Sequence, residues 1–302
     1  MKVASQQKTL WAALVGIPFL LAAVVVTQMR IDARAQAAQG TDELVLTSPS
    51  TIQKLSLGYD GLLADIYWTR AVQYYGARAG IAGKNFNLLW PLLDITTTLD
   101  PKLIVAYRFG AIFLGQPGTA GPGRVDLAVR LIERGIAQNP DAWPLYSDLG
   151  FIQYWQLGNY GAASATYLKA SELPNAPVFF KMMAARIEAL GGSLETSRML
   201  WSQIYETTTS TDIRKRALTM LEGLKAQQDE EQLNALAEQY RGRFGRAPGS
   251  MADLQGAGLL RGTPVDPQGY PYVFGADGRA QLNPSSPVTI PAAPPAPRGG
   301  YK

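Results

Sequence analysis

Any chemistry in this chain must be built from carboxylates, tyrosines and lysines, because its 302 residues include no histidine and no cysteine. That removes the usual general base near neutral pH, thiolate nucleophiles, disulfides, cysteine-ligated clusters and thioether-attached haem. Zinc takes nitrogen or sulfur ligands in most of its sites and is not expected, whereas an oxygen-only calcium site stays open. Two acidic pairs are close enough in sequence to consider for acid–base work: Asp60 with Asp65, and Glu230 with Glu231. Asp60 and Asp65 are five apart and do not share a helical face well, and neighbouring carboxylates on a helix ordinarily form a solvated surface. The chain is therefore not expected to be an enzyme, and no catalytic residue, cofactor or metal ligand is expected.

The elements that would position a binding surface are easier to read. Hydrophobic residues make up 47% of the chain and charged residues 17%, which suits a folded protein with a membrane segment. The net charge of +4 is mild over this length and no basic run is present, so nucleic acid is not an expected partner. Thr9 to Met29 carries no charge, and as a helix its 21 residues would span roughly 31 Å, close to the hydrocarbon thickness of a bilayer. Trp11 sits at one end, where an indole favours the interface, and Pro18 is a kink that bilayer helices tolerate. One reading is a cleaved secretory signal, with Lys2 and Lys8 as its basic start and Ala33-Arg34-Ala35 as the cut. The other is an uncleaved anchor; the length of the apolar run and the crowding of Arg30 and Arg34 at the cut favour it. Contact with the membrane would run over Leu10–Thr27. The basic start places the amino terminus in the cytoplasm, so the expected location is single-pass in a bacterial inner membrane with the bulk of the chain periplasmic.

After this segment, small and apolar residues recur at helical spacing and close on a proline three times. The sets are Leu89, Leu93, Thr96, Pro101; Ala128, Ile132, Gly135, Pro140; and Ala163, Tyr167, Ala170, Pro174. Thr51 to Tyr74 reads as helix with Gly58 and Gly61 marking a break, and Phe86 to Thr98 follows a turn at Gly80–Gly83. Pro101–Leu114 with Val125–Gln138, Asp141–Leu157 with Tyr160–Leu173, and Pro177–Leu190 with Ser193–Thr207 read as three further helix pairs, and Thr211–Lys225 as a capping helix. Glycine and alanine would sit where helices approach and aromatics would fill the gaps, so that neighbouring pairs stack. The alternative is a generic helical bundle.

The third pair carries Leu149-Gly150, Tyr154, Gly158-Asn159-Tyr160, Ala163, Tyr167, Ala170 and Pro174, and in this it resembles a tetratricopeptide repeat. One extra residue separates its Leu-Gly from its Gly-Asn-Tyr, so an irregular first helix is expected. The resemblance covers about Leu62 to Tyr205 and implies a solenoid whose first helices line a concave groove. Carried over by position, that groove takes Tyr107, Ser147, Phe151, Tyr154, Lys181 and Glu188, with Arg70 and Arg108 nearby in sequence. Such an aromatic and cationic face would suit an extended peptide or a partner helix. The other reading of Phe151 and Tyr154 is core.

Beyond this array, Asp229–Phe244 reads as an amphipathic helix with Leu233, Leu236, Ala237, Tyr240 and Phe244 on one side. Asp266-Pro267-Gln268-Gly269 favours a type I turn, Tyr270–Phe274 a strand, and Asp277-Gly278 a hairpin returning through Arg279–Leu282. Tyr240, Gly245, Pro248, Leu254, Asp266, Pro267, Gly269, Pro271 and Tyr272 follow the spacing of the globular tail of type II secretion pseudopilins, which this segment resembles. No prepilin leader followed by Phe-Thr-Leu-Ile-Glu precedes the apolar segment, so the resemblance implies a small structural module and not a pilus subunit. An unrelated turn-and-hairpin cap would use many of the same residues. Six prolines in Pro284–Lys302 point to a disordered or extended tail.

The expected fold is mainly α: a tetratricopeptide-like solenoid after a single transmembrane helix, with a small α+β hairpin module at the carboxy end. The expected parts are an anchor over 1–32, a linker over 33–50, the array over 51–227, the helix-plus-hairpin module over 228–283 and the tail over 284–302. The expected function is a membrane-anchored extracytoplasmic scaffold that binds protein partners and supports assembly of an envelope complex. The alternative is a structural subunit of a secretion, pilus or electron-transfer machine.

Overall fold

The computed structural model describes Val26 and residues 48–291. The expected anchor, Val26 aside, and the linker up to residue 47 lie outside the described residues, as do residues 292–302 of the tail. Among the described residues no helix is long and apolar enough to cross a membrane.

The chain is mainly helical. The short α1 (Pro49–Leu55) ends where Leu57 and Gly58 both take left-handed backbone, with φ of 52° and 91°. That is the break expected near Gly58, and it turns the chain so that Ile52 packs on α3 (Leu89–Leu99), against Ile95 and Leu99. The remaining helices are α2 (Asp60–Gly76), α4 (Ile104–Gly115), α5 (Val125–Gln138), α6 (Trp143–Phe151), α7 (Tyr160–Ser171), α8 (Phe179–Leu190), α9 (Leu194–Thr207), α10 (Thr211–Phe244) and α11 (Met251–Gly256). From α2 to α10 each helix packs on its neighbours in sequence, and α4 also touches α6.

The small residues do what their spacing requires. A Cβ on Gly135 would meet the Tyr107 ring at 2.8 Å, and one on Gly150 would meet the Tyr167 ring at 2.8 Å. Each tyrosine thus lies flat on the backbone of a facing helix, an approach any side chain would prevent. Ala128, Ala163 and Ala170 are fully buried beside them. The Asn-Pro closure of the second set is also structural. Asn139 Nδ2 donates to the Pro101 carbonyl at 2.8 Å, tying the end of α5 to the start of the α4 turn.

The irregularity expected in the third pair is a π turn. Ile152–Gln156 continues α6 with wider hydrogen bonding, and Asn159 N–H reaches the Gln153 carbonyl at 2.8 Å. One surplus residue in a helix is absorbed this way without shifting the register of the next helix. Asn159 then caps α7, its side chain accepting from Ala162 N–H at 3.1 Å.

One expectation changes. Thr211–Lys225 and Asp229–Phe244 are not separate helices: α10 is continuous over 34 residues and runs straight through the boundary expected at 227/228. Nothing in residues 226–228 breaks a helix, and the Lys225–Asp229 ion pair spans the expected junction. Residues 284–291, expected to be disordered or extended, form neither helix nor strand, and Pro284, Ser285, Pro287 and Thr289 are exposed, but the segment touches the fold at three points. Val288 is buried, Ser286 donates to the Asp266 carboxylate, and Thr289 and Pro291 lie over Gly223, where α10 has no side chain.

The hairpin forms but is shorter than the expected Tyr270–Phe274 and Arg279–Leu282: β1 (Val273–Phe274) pairs antiparallel with β2 (Ala280–Gln281), Val273 facing Gln281 and Phe274 facing Ala280. It rests on the second half of α10, where Leu233 and Tyr240 form a small core with Met251, Leu254 and Tyr272. The Asp266 turn closes with Gly269 N–H on the Asp266 carbonyl at 2.9 Å.

Candidate partner-binding surface

The helices of the first three pairs divide their apolar residues unequally. In α3, α5 and α7 no large hydrophobic side chain is exposed. The first helices carry all of them: Leu62, Ile66 and Val72 on α2, Val105, Phe109 and Ile112 on α4, and Phe151 on α6. Phe109 is 47% exposed and Phe151 50%. The cause is visible in α4, Ile-Val-Ala-Tyr-Arg-Phe-Gly-Ala-Ile-Phe-Leu-Gly. One face (Ala106, Tyr107, Gly110, Ala111, Leu114) is buried in the core, and a second, at Val105, Phe109 and Ile112, stays exposed among the described residues.

Aromatic rings join these helices. Phe113 of α4 stacks on Tyr75 at 4.1 Å and on Trp68 at 6.1 Å, both from α2, and Phe109 follows at 6.4 Å. On α6 and its π turn, Phe151 stacks with Trp155 at 6.4 Å. Between α4 and α6, Arg108 grips Asp148 through two bonds, Nε to Oδ2 at 2.6 Å and an Nη to Oδ1 at 3.3 Å. The hydrogen bonds to Asp148 hold the guanidinium's pKa above its ordinary value, so this clamp stays charged.

No family model, curated protein or solved structure matches the chain.

Of the eight groove residues expected from the repeat resemblance, Tyr107 is the clear correction. It is 0% exposed, sits against Gly135 and donates to the Thr97 carbonyl at 3.3 Å. Burial pushes its phenol up. Neighbouring residues on a helix are about 100° apart, so with Tyr107 turned into the core Arg108 faces α6. Arg108 is half-buried and committed to Asp148. Ser147 is half-buried, and its carbonyl accepts from Tyr167, whose phenol burial raises to about 12. Tyr154 is half-buried against Tyr160 and Trp155, with ring centres at 5.9 and 6.3 Å. Arg70 is exposed, its guanidinium 5.5 Å from the Tyr67 ring. Lys181 and Glu188 are half-buried on α8. Phe151 alone is a large apolar side chain presented to solvent. The residues that reasoning by position misses are Leu62, Ile66, Val105, Phe109 and Ile112. Their signal is an apolar stripe on α2 and α4 beyond what one core face can use.

Of the two carboxylate pairs, Glu230 is engaged with the hairpin. Glu230 Oε1 accepts from Leu282 N–H at 2.8 Å, and Asn234 Oδ1, one turn on, accepts from Ala280 N–H at 2.8 Å. These side chains take the place of a third strand against β2. Desolvation holds the Glu230 carboxyl above its ordinary value. Glu231 accepts from Gln227 on the helix surface at 3.3 Å. Asp60 opens α2 and Asp65 is exposed. Among the described residues no group of three acidic side chains is placed to hold a metal ion.

Proposed function

We propose that this protein is a membrane-anchored scaffold that holds protein partners on the first-helix face of a tetratricopeptide-like solenoid, outside the cytoplasm. The observation that carries this reading is the asymmetry just described: every exposed large hydrophobic side chain on the helices of the first three pairs is on a first helix. Exposed apolar side chains with aromatic anchors, concentrated on one set of helices, match the composition of protein interfaces. Packing between sequence neighbours, with α4 against α6, supports a stack of hairpins over a closed bundle. The uncharged Leu10–Thr27 stretch supports the anchor, and the basic residues before it support a periplasmic bulk. The helix-plus-hairpin module on α10 favours a second reading, a structural subunit of a secretion, pilus or electron-transfer assembly, since it offers a second folded contact at the far end of the array.

Photocrosslinking in intact cells tests the scaffold reading. A photoreactive phenylalanine replaces Phe109 or Phe151 in one set of strains, and Arg130 or Ala165 on the exposed faces of α5 and α7 in another. Adducts of discrete mass from positions 109 and 151 and not from 130 and 165 are expected. Equal adducts from both sets, or none from the first, overturn the assignment.

A further inference from the structure

The fourth pair ends in an apolar trough lined by methionines. Helices α8 and α10 both pack on α9, and between them lies a groove of about 550 Å³ floored by Trp201 of α9. That is within the range of built ligand sites. Its walls are Phe179, Met182 and Met183 from α8 and Met220 from α10. Phe179 is 53% exposed. At one side the wall is Pro291, held there because Gly223 lets the returning chain lie on the backbone of α10.

The charge around this apolar trough has one sign. Arg186 of α8 and Lys215 and Arg216 of α10 line it, and no carboxylate does. Two arginines between the earlier helices are paired, Arg108 with Asp148 and Arg134 with Asp94. Arg186, Lys215 and Arg216 are exposed, and none has a carboxylate within ion-pair distance among the described residues. Three cations around methionine and phenylalanine call for a ligand that is apolar along one side and anionic along the other. Methionine walls adapt to varied side chains, and cations on two helices match charges spread along a segment better than a single terminal one.

The geometry points to a docking site for an acidic, amphipathic peptide segment of a partner protein, seated between α8 and α10. Charge argues against the carboxy-terminal residues and a second copy, while the chain's own Asp42-Glu43-Leu44-Val45-Leu46 stretch is the competing occupant, and its seating in the trough would show as no peptide binding by the full-length protein. Residues 292–302 carry Arg298 and Lys302 and no acidic side chain, and a second copy brings a net charge of +4. This assignment rests on the scaffold reading and names the chemistry of one of its partners. None of Arg70, Lys181 or Glu188 lines the trough.

The test uses the full-length protein in lipid nanodiscs and a fluorescein-labelled peptide of about 12 residues alternating leucine and phenylalanine with glutamate. Anisotropy should report saturable binding that weakens at least about tenfold when glutamine replaces the glutamates. The same loss is expected when the protein carries Arg186→Gln, Lys215→Gln and Arg216→Gln together. All three side chains are exposed, so an unchanged thermal melt is expected of that variant. Phe179→Ala should weaken binding while leaving its salt dependence intact. Equal binding of the glutamate and glutamine peptides, or full binding by the triple variant, overturns the proposal. So does an oleate-loaded trough that takes no peptide, which would make the ligand a lipid anion. The crosslinks from positions 109 and 151 are a separate readout. If they persist while the peptide fails, only the trough assignment falls; if they are absent, the scaffold reading falls whatever the peptide does.

Discussion

Tyr107 and Gly135 show how much of this structure is settled by single side chains. The ring occupies the space a Cβ would need, so Gly135→Ala forces a shift in a packed interface and should cost about 1–3 kcal/mol in urea unfolding. Gly242→Ala, on an open face of α10, is the control: it should stabilise by about 0.5 kcal/mol through helix propensity. Equal effects would mean that the close approach is not what selects glycine at 135. Acid stability turns on two carboxyls of opposite sign. Desolvation raises the Asp266 carboxyl, but hydrogen bonds from Ser286 and from the Tyr270, Gln268 and Gly269 backbone outweigh it and hold it below its ordinary 3.8. Its contribution is present above about pH 4 and is lost as the pH falls through the depressed value. Glu230, raised above 4.5 by desolvation, contributes the other way: its stabilising share is complete below that pH and is lost as the pH rises through the raised value. Asp266→Asn should therefore flatten the acid limb of a Tm-versus-pH curve. Glu230→Gln should leave the protein at least as stable as wild type at pH 7, because the amide oxygen still accepts from Leu282. A steeper acid limb in the first, or a lower neutral Tm in the second, would contradict these roles.

At the scale of elements, the π turn and the long helix are the two departures from regular pairs. Wider hydrogen bonding at Ile152–Gln156 should exchange amide hydrogens faster than α4, which is a regular helix. Hydrogen exchange read by mass spectrometry checks this, and equal protection in the two segments would count against it. The continuity of α10 joins the preceding helices to the hairpin module through one unbroken helix. Gln228→Pro acts only through the backbone, since that side chain is exposed, and should cost about 3 kcal/mol or more in thermal unfolding. A change below about 0.5 kcal/mol would mean the helix is two helices in solution. Helical spacing makes both halves of α10 legible. Their fusion is not, because the shift in residue character toward the carboxy end reads as a boundary, while neither proline nor a capping residue interrupts residues 226–228.

Across the whole molecule, two of the hydrophobic clusters meet at Ile136, which packs against both the cluster around Tyr107 and the cluster around Tyr167 and Phe180. Contacts between sequence neighbours make stability a chain of local couplings, so Ile136→Ala should separate the opening of the two halves by about 1–3 kcal/mol in hydrogen exchange. Unchanged common opening would place the coupling elsewhere. What the residue order determined by itself was local: where helices run, where glycine and alanine must let them touch, where prolines stop them, and that an extra residue would disturb the third pair. Each of these is set by backbone geometry within a turn or two of chain. The tertiary structure decided which of two adjacent side chains faces the core, as with Tyr107 and Arg108. It also decided that Glu230 closes a sheet edge, that Val288 of the proline-rich tail is buried, and that three cations surround a methionine-lined trough. Those outcomes depend on which helix lies opposite, and that partner is brought in by packing between segments far apart in the sequence.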